Sequence, residues 1–288
     1  MNNHYVKTFE EKGFGELAAL VKRWETVSEN ISKRPTNAPI VLPDLFVYTH
    51  SGYGNTEILF LLAEYLESKK NLMSFCGDVK FFEFKLEYCR PEANFSELYR
   101  LMECTEAAAG FSNQYKGIIR INVNSWVGHQ NEKHFIDFLK YLQVNTAHWF
   151  VILTLSKEEE NEKTRGMEAV VSMFLRIEKI TLRAPDDKEL VEYAADRFSE
   201  FGLTLDEGAK QLLQKSIGVL RGNKYFYGFH TVTEMCNDIV YALYSRTSPV
   251  DKVITSEMLG DFAPESEYVK RTVIKIKQTI SLGFLTQG

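Results

Sequence analysis

The sequence predicts an α/β domain built on a parallel sheet, followed by a helical domain. Two observations carry this. Five short apolar runs alternate with helical stretches up to about residue 183, the pattern of βαβ units. Beyond that point, helix-period patterns take over,. A chain of 288 residues can form one large or two smaller domains and bury a core without disulfide or metal staples,.

The elements follow in order. Residues 14–31 place Leu17, Leu20, Val21, Trp24, Val27 and Ile31 at helical spacing, so an amphipathic helix is expected. Pro35, Pro39 and Pro43 then mark an extended connector,. Residues 1–43 are thus read as a helix and a connector. The α/β core is read as 44–183. Its first strand is expected at 45–48, followed by a glycine-containing turn and an apolar helix over 56–68. The second strand is expected at 79–84 with a helix over 95–109, and the third at 117–123 with a helix over 132–143. The fourth, 149–155, ends in an acidic loop over 157–163, and the fifth is 177–182. Residues 184–288 are read as a helical domain and tail. Helices are expected over 186–201, ended by Gly202, over 205–216, ended by Gly218, and over 231–244, with no strand among them. The tail reads as helix near Ser256 and over 268–281, with a strand at 273–277 as the alternative.

Composition excludes several classes. Apolar residues are 44% and charged residues 25%, which excludes a disordered or low-complexity chain. A net charge of −5 argues against nucleic-acid binding by the isolated chain,. Cys76, Cys89, Cys104 and Cys236 form no CxxC pair, so reduced thiols are expected rather than disulfides or a zinc site. No signal-peptide core opens the chain, and the apolar stretches 58–63 and 149–153 fall far short of the ~18 residues a membrane span needs,. The expectation is a cytoplasmic chain without a membrane partner.

The first strand and turn carry the most informative pattern. A phosphate-binding P-loop reads GxxxxGK[ST] between strand and helix. The matching residues here are Thr49, His50, Ser51, Gly52, Tyr53, Gly54, Asn55 and Thr56. Gly52, Gly54 and Thr56 are suited to a turn that brings backbone N–H groups against an anion. Asn55 stands where the lysine would be, and a neutral amide cannot supply that charge. A plain strand-to-helix turn is the other reading.

With the order of elements that follows, the chain resembles an AAA+ ATPase module over roughly residues 14–245. The resemblance implies a P-loop NTPase-like sheet, a helical lid, and ATP or ADP with magnesium held at Gly52, Tyr53, Gly54, Asn55 and Thr56. It makes GIIRINVNSW the Walker B strand, with Asn122 at the aspartate position and Val123 at the glutamate position. It makes HWFVILTLS the sensor 1 strand, with Thr154 or Ser156 as the polar residue. Arg176 falls where an arginine finger often lies, and His230 aligns with the sensor 2 arginine. An ordinary surface arginine and a structural histidine are the other readings. Tyr88, Cys89 and Arg90 fall at a pore-loop position without its usual pattern.

Remaining constellations read as structure. His129 and His134 lack the spacing of two ligands on one helix face. Asp186 and Asp187 suit a helix N-terminus. The acidic run 158–162 suits a solvated loop or a partner contact, and Lys270, Arg271, Lys275 and Lys277 a solvated basic face.

Phosphoryl transfer depends on positioned charge, and the resembling positions have lost it. The expectation is a degenerate AAA+ module, a pseudo-ATPase acting as scaffold or regulator through self-association or a protein partner. One alternative is an active AAA+ ATPase whose site is completed by other residues or by a neighbour. Another is a clamp-loader-like or helicase-loader-like subunit acting on DNA.

Overall fold

The computed structural model describes residues 4–34, 40–50, 55–75, 78, 80–109, 114–145, 149–156, 162–222, 226–246 and 251–270. The first unit runs to His50 and from Asn55 to Arg183, and the second from Ala184 onward.

The first unit is organised by five parallel strands: β1 (Asp44–Thr49), β2 (Phe81–Lys85), β3 (Gly117–Asn122), β4 (Trp149–Ser156) and β5 (Ile177–Thr181), in the order β2-β3-β4-β1-β5. Burial follows that order. All of β1 and nearly all of β4 are buried, whereas the edge strands β2 and β5 are mostly half-exposed. Near-continuous apolar runs such as LFVY and WFVILTL are what a central strand covered on both faces requires.

Parallel neighbours need crossovers, and helices supply them. Four helices lie between successive strands: α3 (Asn55–Ser68), α4 (Pro91–Ala109), α5 (Lys133–Asn145) and α6 (Glu162–Phe174). Two helices precede β1: α1 (His4–Glu11) and α2 (Gly15–Lys33). Strand alternation divides the core into two layers. Leu45, Val47, Ile118, Phe150, Ile152 and Ile180 pack with α1, α2 and α3. Phe46, Tyr48, Ile119, Ile121, Val151 and Leu153 pack with α4, α5 and α6. Trp24 of α2 meets Phe150 edge-on at 6.1 Å. Each large apolar side chain buried this way contributes roughly 1.5–3 kcal/mol.

Two helices go beyond the sequence expectation. α1 is short, and it ends in a Schellman turn: Phe14 N–H donates to Phe9 O, Gly13 N–H donates to Glu10 O, and Gly13 has φ +74°,. α6 begins inside the stretch read as an acidic loop and buries Met167, Val170 and Val171. Residues 157–161, with the acidic Glu158, Glu159 and Glu160, lie outside the described residues.

The second unit holds α7 (Asp187–Glu200), α8 (Glu207–Arg221) and α9 (Gly228–Tyr244) around an apolar core that includes Leu190, Phe198, Leu213, Ile217 and Ile239. α7 opens on a capping box between Asp186 and Glu189,. Past its end, Leu203 N–H donates to Phe198 O around Gly202, whose φ is +70°,.

Three expectations are corrected here. α8 does not end at Gly218 but runs through it to Arg221. An interior glycine costs a helix only ~1 kcal/mol, and the flanking Ile217 and Leu220 are buried. Strands do not stop after Arg183: β6 (Thr204–Leu205) and β7 (Val253–Ile254) form a short parallel pair. Two-residue strands carry too little periodicity to be read from sequence. The segment near Ser256 is turn, followed by a 3-10 helix at Gly260–Phe262, not an α-helix. The 273–277 alternative lies outside the described residues.

Candidate functional site

Strand alternation sets which side chains can share a site. Thr49 of β1, Arg120 and Asn122 of β3, and Thr154 of β4 stand on the α3 side of the sheet, near the strands' C-terminal ends,. Ligands of open α/β sheets bind beyond those ends. α3 follows β1 there, and its first turn carries Thr56. Gly52, Tyr53 and Gly54 lie outside the described residues; Asn55 opens α3.

The Thr56 hydroxyl has a described partner. Arg120 Nη1 donates to Thr56 Oγ1 at 2.7 Å. The same Nη1 forms an ion pair with Glu83 of β2. The sheet register explains the pair, because Glu83 and Arg120 are direct neighbours across β2 and β3. The Arg120 side chain is only 15% exposed, and its buried Nε has no hydrogen-bond partner among the described residues. Neither Arg120 nor Glu83 stands out in the sequence by any motif. The available signal is a lone arginine inside an otherwise apolar strand, GIIRIN, beside a lone glutamate in FFEFK.

The two positions read as Walker B-like diverge. Asn122 Oδ1 accepts from Asn124 N–H at 3.0 Å, and Asn124 Oδ1 accepts from Ser156 N–H at 2.7 Å. Neutral amides thus brace the ends of β3 and β4 against each other. Val123 is fully buried and belongs to the layer under α4, α5 and α6. Its N–H donates to Thr154 O at 3.0 Å. Thr154 is also fully buried, and its Oγ1 has no hydrogen-bond partner among the described residues; the Ser156 Oγ is in the same position.

Arg176 does not join this group. It immediately precedes β5, and its carbonyl accepts from Asp44 N–H at 2.9 Å. That is the opposite end of the sheet, roughly 16 Å away along a six-residue strand,. Its exposed guanidinium donates to Val41 O at 3.4 Å. His230 belongs to the second unit, in the first turn of α9, with Nε2 3.3 Å from Glu234 Oε1.

A separate polar cluster follows β2 and β3. The Tyr88 ring stacks on His129 at 3.8 Å and meets Trp126 edge-on at 5.1 Å. Its hydroxyl donates to Glu132 Oε1 at 2.9 Å, and His129 Nδ1 lies 2.7 Å from the same oxygen. The hydrogen bond from His129, then that from Tyr88, holds the Glu132 carboxyl below its ordinary range, and the bond to Glu132 pushes the Tyr88 hydroxyl up. His134 instead lies 3.8 Å from Glu92. Among the described residues, no group of three or more His, Cys, Asp or Glu side chains could hold a metal ion.

Magnesium, which the fold implies alongside nucleotide, does not fit the residues present. Asn122 and Val123 offer no carboxylate, the Thr56 hydroxyl faces a guanidinium, and Glu83 is paired to that cation. A phosphate anion fits better: a guanidinium and a helix N-terminus both favour negative charge.

No protein-family profile and no curated protein sequence matches the chain. Solved structures do. One single-residue variant of Thermotoga maritima RuvB superposes with a TM-score of 0.51 at 11% identity, covering 85% of this chain and 67% of that one. A second variant of the same protein gives 0.51 at 12% identity, covering 89% and 76%. This likeness establishes the fold: a five-stranded parallel α/β sheet matching the AAA+ fold of RuvB.

Proposed function

We propose that this chain is a non-hydrolysing AAA+-type module, a pseudo-ATPase that serves as scaffold or regulatory subunit in an oligomeric assembly. The observation that carries the reading is the Arg120 guanidinium on the Thr56 hydroxyl, where a hydrolysing site needs magnesium. Val123 supports it, since a side chain committed to the apolar core cannot polarise a water. Phosphoryl transfer without a metal-organising carboxylate, a lysine at position 55 and a catalytic glutamate loses several separate sources of charge stabilisation. The retained architecture supports a role in assembly. Arg176, exposed at the far end of the sheet, suits contact with a neighbouring subunit rather than with its own site.

No helix among the described residues is long and apolar enough to cross a membrane. Cys89 and Cys236 are free thiols, which supports the cytoplasmic assignment. The test pairs two measurements: phosphate release from ATP with magnesium, and mass by sedimentation with and without nucleotide. Expected are no turnover above buffer and a mass above that of the monomer. Turnover that disappears in Thr56→Ala would overturn the reading, as would a strictly monomeric chain.

A further inference from the structure

Two loops meet beyond the C-terminal ends of β2 and β3. The loop before α5 is fixed by its own backbone. Gly128 has φ +90°, His129 N–H donates to Trp126 O at 2.9 Å, and Glu132 N–H donates to His129 O at 3.0 Å. The loop before α4 is tied to it near Leu86, whose N–H donates to Asn122 O at 2.9 Å and whose O accepts from the Ser125 hydroxyl at 2.7 Å. Farther along, the described ties to the α5 loop come from the Tyr88 side chain. Its ring stacks on His129, and its hydroxyl shares Glu132 Oε1 with His129 Nδ1. Cys89 and Arg90, next in the chain, are exposed.

The three groups titrate in different ranges. The bonds from His129 and Tyr88 hold the Glu132 carboxyl below its ordinary range, so its contribution is lost only as pH falls through that lowered value,. The bond to Glu132 pushes the Tyr88 hydroxyl up, so its contribution is lost only as pH rises above the ordinary tyrosine range,. A histidine ordinarily changes charge between those limits, at about pH 5–8. A neutral imidazole can donate from Nδ1 in only one tautomer, whereas the imidazolium always carries that proton, and its bond to a carboxylate is roughly twice as strong. The charged groups around the cluster are His134 of α5, which lies 3.8 Å from Glu92 of α4 and also favours ionised Glu132, Lys163 of α6 beside Gly128, and Glu87, paired with Lys85. We propose that Tyr88, His129 and Glu132 form a clasp that tightens when His129 is protonated, so that mild acid orders the exposed Tyr88–Arg90 segment against the α5 loop and higher pH releases it. His129 and Glu132 are each 42% exposed, so solvent and salt weaken the clasp without abolishing it,.

The experiment is hydrogen exchange of the full chain read by mass spectrometry across about pH 5–8, with rates corrected for the intrinsic pH dependence of exchange. The peptide over residues 86–91 reports the clasp. The peptide over β4 is the reference, because the buried Asp44 carboxyl, pushed up to about 7, changes the stability of the whole α/β unit in the same range. Expected is a loss of protection at 86–91, in excess of any loss in β4, of about two- to fivefold from the acid to the alkaline end. His129→Gln keeps an amide donor that cannot ionise and should stay at the wild type's alkaline level throughout. Tyr88→Phe keeps the ring stack, loses the hydroxyl bond and should lower protection at every pH. His134→Gln should leave the pH-dependent change in place. All three side chains are at least partly exposed, and the wild-type profile is itself a test that needs no variant. A flat profile, protection that rises with pH, a loss no larger than that of β4, a change that survives in His129→Gln or vanishes in His134→Gln, or unaltered protection in Tyr88→Phe would each overturn the clasp.

Discussion

Asp44→Asn should make the α/β unit's stability nearly independent of pH between 5 and 7. Asp44 opens β1 between β4 and β5 and is 6% exposed. Its Oδ1 accepts from Val151 N–H at 2.8 Å. Burial pushes its carboxyl from 3.8 up to about 7, with the Val151 bond offsetting part of the rise. The folded chain therefore holds this proton more tightly than the unfolded chain. The stabilisation is fully present below 3.8 and is lost as pH rises through about 7,. A difference of about three pH units at 1.36 kcal/mol each makes the full effect about 4 kcal/mol. Asparagine cannot ionise, yet its Oδ1 can still accept from Val151. Urea unfolding of both proteins at a series of pH values should show the variant gaining on the wild type by about 1.4 kcal/mol per unit across this window. The constant part of the difference reports the uncompensated amide, so the slope is the test. Parallel stability curves would refute the buried-carboxyl argument. A second readout is Tyr115, whose hydroxyl is pushed up to about 12 by burial and then by Asp44; it should titrate lower in the variant.

Other substitutions test other parts of the argument. Val123→Glu restores the residue type of a catalytic glutamate but places a carboxyl in a fully buried apolar site; it should cost about 3–5 kcal/mol in urea unfolding and produce no phosphate release. Gly13→Ala should cost at least about 1–2 kcal/mol from the left-handed backbone, because φ is +74° and a Cβ would lie 1.7 Å from Arg183 Nη2; thermal unfolding reads it. Asp186→Ala removes the side-chain acceptor for Glu189 N–H at 2.9 Å and should lower the stability of the helical unit by about 1 kcal/mol, measured by circular dichroism.

The central strands β1 and β4 were legible because they are buried on both faces and read as apolar runs; LFVY and WFVILTL could hardly be anything else. α3, α5 and α7 were legible from their periodicity, and the Gly202 stop from the φ it requires. α6 was hidden because its polar first turn continues an acidic run, leaving only Met167, Val170 and Val171 as apolar signal. At the candidate site, the uncharged residues Asn55, Asn122 and Val123 were readable one position at a time. The Arg120–Glu83 pair was not, because its meaning depends on strand register, and register is not specified by the β2 and β3 segments alone. With the parallel pairing of Glu83 and Arg120 known, a lone charge in each of two apolar strands becomes one ion pair.

Alternation along β3 binds these features together. Arg120 and Asn122 face α3, while Ile121 and Val123 enter the opposite core layer. A glutamate at 123 would have to leave that layer before it could reach a ligand beside α3, so replacing the residue does not replace the function. An aspartate at 122 would stand two residues from Arg120 on the same face, roughly 7 Å along the strand. Its charge would compete with Glu83 and Thr56 for the guanidinium. Each single reversion toward a metal site thus works against the arginine, and removing the arginine leaves Glu83 unpaired. The neutral Asn122, the apolar Val123 and the cationic Arg120 together offer no carboxylate to a metal ion. On the proposed reading, no single substitution among the three supplies both a metal-organising carboxylate and a free place for the ion beside Thr56.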